Sequence, residues 1–88
     1  FTISKGKPQI TKTMVISTNY KKIVHYYSSN STVNLHYKKD DGSWTDLPGI
    51  AMAKDYNNQG YFVAEVSDSL DITFCFNDGN GNWDSRYG

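Results

Sequence analysis

The chain has 88 residues, with nine basic side chains balanced by nine acidic ones. That length supports one modest core, and the balanced charge gives no electrostatic case for nucleic acid or an anionic membrane as a partner. A single cysteine, Cys75, excludes an internal disulfide and a cysteine zinc site.

Period two dominates from the start, and no segment carries a convincing period of 3.6. FTIS (1–4), TMVIS (13–17) and KIVHYY (22–27) read as short strands. In the last of these His25 is structural or exposed, and one of Tyr26 and Tyr27 must face outward. A polar loop follows over 28–32. In VNLHYKK, Val33, Leu35 and Tyr37 then point one way, while Asn34, His36 and Lys38 point the other.

DDGS (40–43) is a hairpin turn with Trp44 immediately past it, and Pro48-Gly49 favours a type II turn. After the polar stretch 54–60, YFVAEV sets Phe62, Ala64 and Val66 opposite Tyr61, Val63 and Glu65. Beyond a connection at 67–69, LDITFCFN carries the most apolar stripe: Leu70, Ile72, Phe74 and Phe76. FNDGNGNWDSRYG ends the chain and sets Trp83 among glycine, asparagine and aspartate. Five or six short strands predict an all-β fold without a helix of note, a small antiparallel β-sandwich of immunoglobulin-like type. A small open barrel is the alternative.

The alternation turns His36 outward, and the turns leave Trp44 and Trp83 with reason to be at the surface. A tryptophan in a small β-domain is more often a packing residue than a platform, but the polar neighbours of Trp83 argue against burial. Exposed indoles suit carbohydrate: the C–H face of a sugar fits an aromatic face, and its hydroxyls need amides, carboxylates or imidazole. The loop supplies Asn77, Asn80, Asn82 and Asp84 for those bonds. Two rings set at an angle would favour a curved α-1,4-glucan over a flat chain.

Rival chemistries are weaker. A glycosidase needs two carboxylates flanking a cleft, whereas Glu65 is the only glutamate and the aspartates around 40–41 and 78–84 lie in turns. An EF-hand at residues 78–84 fails because Trp83 stands where glycine is required; a looser cation site there is the lesser alternative. A protein-interaction sandwich with an exposed aromatic hot spot is the main competing function.

LHYKKDDGSWTDLPG followed by FNDGNGNWDSRYG resembles the family 25 carbohydrate-binding modules, which bind starch and are appended to bacterial amylases. The elements occur in order: His36-Tyr37, Gly42-Ser43-Trp44, Pro48-Gly49 with Met52, and the stretch 76–84. The resemblance spans about residues 20–87. It implies a β-sandwich that binds starch and α-1,4-linked maltooligosaccharides without catalysis or a cofactor. It further implies attachment to a catalytic domain or sister modules in the parent chain and an extracellular setting. His36, Trp44 and Trp83 are the sugar platform that it carries over; hydrogen-bonding roles for Asn82, Asp84 and Lys38 are inferred from their nearness in sequence. Residues 1–88 are expected to be one module. Residues 1–9, resembling the family's closing strand, are expected to be that strand of a preceding repeat or a permuted edge strand.

Overall fold

A computed structural model describes residues 1–10, 13–18, 22–66 and 71–85. Its strands are β1 (Thr2–Ile3), β2 (Gln9–Ile10), β3 (Met14–Ser17), β4 (Lys22–Tyr27), β5 (Asn34–Tyr37), β6 (Ile50–Ala51), β7 (Ala53–Lys54), β8 (Tyr61–Val66), β9 (Ile72–Asn77) and β10 (Trp83–Asp84). They form two antiparallel sheets, and no helix occurs among the described residues.

One sheet runs β2-β3-β4-β8-β7, centred on six register pairs between β4 and β8, from Lys22↔Val66 to Tyr27↔Tyr61. The other runs β1-β9-β5-β6. One edge of its β9 pairs with β5 from Phe74 to Asn77; the opposite edge is shared by β1 at Ile72 and Thr73 and β10 at Phe76 and Asn77.

β-Branched and aromatic residues at alternate positions make these segments strands and at once choose their inner faces. Leu35, Phe74 and Phe76 from one sheet meet Ile16, Val24, Phe62 and Val66 from the other, all buried. The Phe74 ring stacks on Phe1 at 5.5 Å and meets Phe76 edge-on at 5.7 Å. Each such side chain contributes about 2–3 kcal/mol by leaving water, so this small sandwich depends heavily on β9.

Two details depart from the sequence reading. The turn before β6 centres on Leu47-Pro48, whose peptide is cis, one residue earlier than the type II turn expected at Pro48-Gly49. A cis proline in that place is the type VI arrangement. Gly49 follows at φ 116°, and a Cβ there would strike the Leu35 carbonyl, so glycine alone lets the turn close onto β5. Asn34 and Asn77, assigned to a solvent face, are buried. Leu70 and the 67–69 connection lie outside the described residues.

Candidate functional site

Strand register determines which side chains share the outer face of the β1-β9-β5-β6 sheet. His36 lies opposite Cys75, Asn34 opposite Asn77, Asn77 opposite Trp83, and Lys38 opposite Trp44. Cross-strand partners point the same way, as do residues two apart along a strand. Lys38, Trp44, His36, Cys75, Asn34, Asn77 and Trp83 therefore project from one face.

The rings meet there. His36 stacks on Trp44 with centroids 4.9 Å apart and planes inclined by 21°. It meets Trp83 edge-on at 5.6 Å and 71°, so the two indoles stand steeply inclined to each other with the imidazole between them. Trp44 is 43% exposed and Trp83 49% exposed. Each indole is thus propped by its neighbour and still presents a large part of itself to water.

Local hydrogen bonds hold each ring in place. Trp44 follows a hairpin closed by Lys39 N–H to the Ser43 carbonyl (2.7 Å), within which the Asp41 carboxylate accepts the Ser43 hydroxyl (2.6 Å) and N–H (2.8 Å). The Ser43 hydroxyl, first, and its N–H hold the Asp41 carboxyl below its ordinary value. His36 Nδ1 lies 2.9 Å from Thr45 Oγ1, which also accepts the Tyr37 N–H at 3.2 Å. That contact fixes the imidazole plane, and Nε2 is the ring's second polar atom.

Trp83 is delivered by a loop folded around Asp78, whose carboxylate accepts the Asn82 side-chain amide (2.6 Å) and the N–H groups of Asn80 (2.8 Å) and Asn82 (3.3 Å). The Asn82 amide is the main cause of an Asp78 carboxyl held below its ordinary value, with the Asn80 N–H second. Beneath the loop, Asn77 accepts the Asn34 side-chain amide (3.1 Å) and the Gly79 N–H (2.9 Å) and donates to the Pro48 carbonyl (2.7 Å). It is 5% exposed. Asn77 is therefore the peg joining two strands and two loops, and not the free amide for a ligand that the sequence suggested.

Asp84, one residue beyond Trp83, pairs with the core residue Phe76 and so faces the other way. Its Oδ2 accepts the Tyr26 hydroxyl at 2.6 Å, and the Tyr26 ring stacks on Phe76 at 3.8 Å. The structure thus brings together His36, Trp44, Trp83 and Lys38, places Asn82 at the rim of Trp83, and sets Asp84 behind it. A notch of about 110 Å³ separates these last groups, lined by Tyr26, Asn30, Asp78, Asn82, Trp83 and Asp84 among others.

Thr45 and Tyr26 were missed from sequence. Thr45 carries one legible signal, an alternating position right after Trp44; Tyr26 reaches Asp84 across 58 residues, beyond any local pattern. No group of three or more metal-ligating side chains occurs among the described residues. What the surface offers is flat apolar area with donors and acceptors around it.

Comparison with known proteins follows the same direction. The profile of the carbohydrate binding domain (family 25) matches residues 17–88. The chain is 33% identical over 88 residues to a β/α-amylase of Paenibacillus polymyxa, an alignment covering 98% of this chain and 7% of the amylase. A β-amylase of Niallia circulans is 33% identical over 65 residues, 72% of this chain and 11% of the enzyme. The chain therefore spans a small fraction of these curated relatives. Among solved structures, the family 25 module of a Bacillus halodurans amylase in complex with maltotetraose aligns with a TM-score of 0.65 at 29% identity, covering 73% of this chain and 70% of that one. A family 25 module of the Paenibacillus polymyxa β/α-amylase gives 0.59 at 35% identity, covering 73% and 62%.

Proposed function

The chain belongs to carbohydrate-binding family 25, whose modules bind without catalysis, and from that premise we propose how it holds its ligand. It binds starch-type α-1,4-glucan, with adjacent glucose units lying on Trp44 and Trp83 and the His36 imidazole between them. The observation carrying this reading is the continuous, steeply bent ring surface. A glucan linked α-1,4 turns from one residue to the next, and inclined indoles follow that turn where coplanar ones would suit a flat chain.

In this reading each ring covers the apolar C–H face of a sugar, a contact made of dispersion and weak C–H···π attraction. The imidazole Nε2, the Lys38 ammonium and the outward edge of the Asn82 amide take the hydroxyls. Asp84 acts from behind, holding β10 to Tyr26. No covalent step is involved. Binding raises the concentration of glucan near whatever the module is joined to.

We further place the module in an amylase-type parent, beside a catalytic domain or sister modules and outside the cell. Two things support this: the curated relatives are amylases, and starch is a polymer too large to enter a cell intact. A protein-interaction role is not favoured, because a relative with this fold is known in complex with maltotetraose.

Three rings bury little area, so a single copy binds in the micromolar to millimolar range, on the order of −4 to −8 kcal/mol. Titration with maltotetraose and cellotetraose, followed by tryptophan fluorescence, tests the proposal. The expected result is a saturable change with maltotetraose and none with cellotetraose. A response to both, or to neither, overturns it.

A further inference from the structure

Past Trp83 the surface does not end. Asn30 forms part of the notch beside Trp83 and also lines a second, larger cleft of about 560 Å³. The topology explains this. β4 ends at Tyr27, β9 ends at Asn77, and β8 begins at Tyr61, so loops 28–32, 55–60 and 78–82 gather at one end of the sandwich. The second cleft lies among the first two of these loops and opens onto Tyr56, Lys54 and Gln59, with Phe62 at its base.

Tyr56 is 97% exposed. The loop that carries it is nonetheless firmly built: the Asp55 carboxylate accepts the Asn57 N–H and the Asn58 side-chain amide, both at 3.0 Å. Asp55 N–H donates to the Tyr61 carbonyl at 2.8 Å, and Ser28 N–H to the Gly60 carbonyl at 3.0 Å. Gly60, at φ 88°, lies under the Tyr27 ring, and any side chain there would collide with it. An aromatic ring is thus held fully in water by a braced loop, and it does nothing for the core.

Around that ring stand an ammonium (Lys54) and two amides (Gln59 and Asn30). One flat apolar face ringed by neutral and cationic donors repeats the chemical composition of the Trp44–His36–Trp83 surface. We infer that this cleft is a second subsite for the same glucan: a chain lying on Trp83 continues past Asn30 over the end of the sandwich and rests a later glucose on Tyr56. The inference rests on the platform reading above, and the occupant follows from continuity, since Asn30 is a wall of both depressions. Short oligosaccharides fill the platform alone; only longer chains reach Tyr56.

The test is calorimetric titration of maltotetraose and maltodecaose against the unaltered chain, Tyr56→Ala and Trp83→Ala. Tyr56→Ala removes a ring that touches no core residue, so folding should be untouched, as thermal melting will verify. The expected result is a loss of about three- to tenfold for maltodecaose, the worth of one ring contact, with maltotetraose unchanged and one site throughout. In ¹H–¹⁵N spectra the Gln59 and Gly60 amides should shift with maltodecaose and stay still with maltotetraose. Unchanged maltodecaose affinity in Tyr56→Ala overturns the inference. So does a second equivalent of maltotetraose that this variant loses, because the cleft would then be an independent site. Failure of the platform itself shows elsewhere, as maltotetraose binding retained in Trp83→Ala.

Discussion

Two loops at the same end of the sandwich use one kind of turn and leave their rings in opposite situations. Residues 55–60 and 78–82 each begin with an aspartate whose carboxylate accepts the N–H two residues on and an asparagine side chain. Tyr56 emerges 97% exposed, whereas Trp83 is about half covered and touches His36. The turn chemistry is not what differs. Tyr56 lies within its loop and has no opposite number; Trp83 is the first residue after its loop and, in β10, pairs with Asn77 of β9, which fixes the face it occupies. A braced turn can display an aromatic, but strand register is what makes it part of a shared surface.

Trp83→Ala breaks the comparison most severely. Maltotetraose affinity should fall about a hundredfold, the range of a central hot-spot residue, while the melting temperature hardly moves because half of the ring was already in water. A calorimetric titration beside a thermal melt checks both halves; a variant that unfolds would show that the ring belongs to the core.

Asn77→Ala attacks the support under the loop. It removes a 5% exposed side chain with three hydrogen-bond contacts and strands the Asn34 amide. The expected cost is about 2–3 kcal/mol, read as a lower denaturant midpoint, together with weaker glucan binding. Loosening the other loop by Asp55→Ala should leave maltotetraose affinity unchanged.

Thr45→Val keeps the shape of the side chain and removes the oxygen that positions His36. Maltotetraose affinity should drop about fivefold, equivalent to one hydrogen bond of about 1 kcal/mol. Thr45→Ser should retain it.

Acid gives the smallest effect and treats both loops alike. Hydrogen bonds hold the Asp78 and Asp55 carboxyls below their ordinary values, chiefly from the Asn82 amide and the Asn58 amide respectively. Carboxyls lowered by folding stabilise the folded state fully above their unfolded value, near pH 4, and lose that contribution as pH falls through the folded value. Stability should therefore be flat from pH 7 to about pH 5 in respect of these groups and decline below about pH 4. Trp83 emission reports the loosening of its loop, and Asp78→Asn should remove that acid step.

The long strands were legible because four or more alternating residues reveal a period. β4, β8 and β9 agree with their sequence reading, and His36 projects outward as its position in VNLHYKK required. β2, β6, β7 and β10 were not foreseen: two residues contain no period to detect, and partners from elsewhere in the chain create these strands. Polarity misled at Asn34 and Asn77, where amides normally exposed are roofed by the 47–49 turn and Gly79 and are satisfied by each other. The identity of the three rings could be read from the motif. Their convergence required the registers His36↔Cys75 and Trp83↔Asn77, which link residues 39 and 6 apart in the chain.

β10 is only two residues long, yet its second residue is fastened to the opposite sheet through Tyr26. In the amylase-type parent proposed above, a module holding glucan would be under tension, and two ladder pairs would unzip readily at an edge. The phenol–carboxylate link instead passes the load from the indole into the stacked Tyr26–Phe76 rings at the interior. The gripping surface is thereby riveted through the body of the sandwich, and a pull on the sugar is resisted by the whole fold.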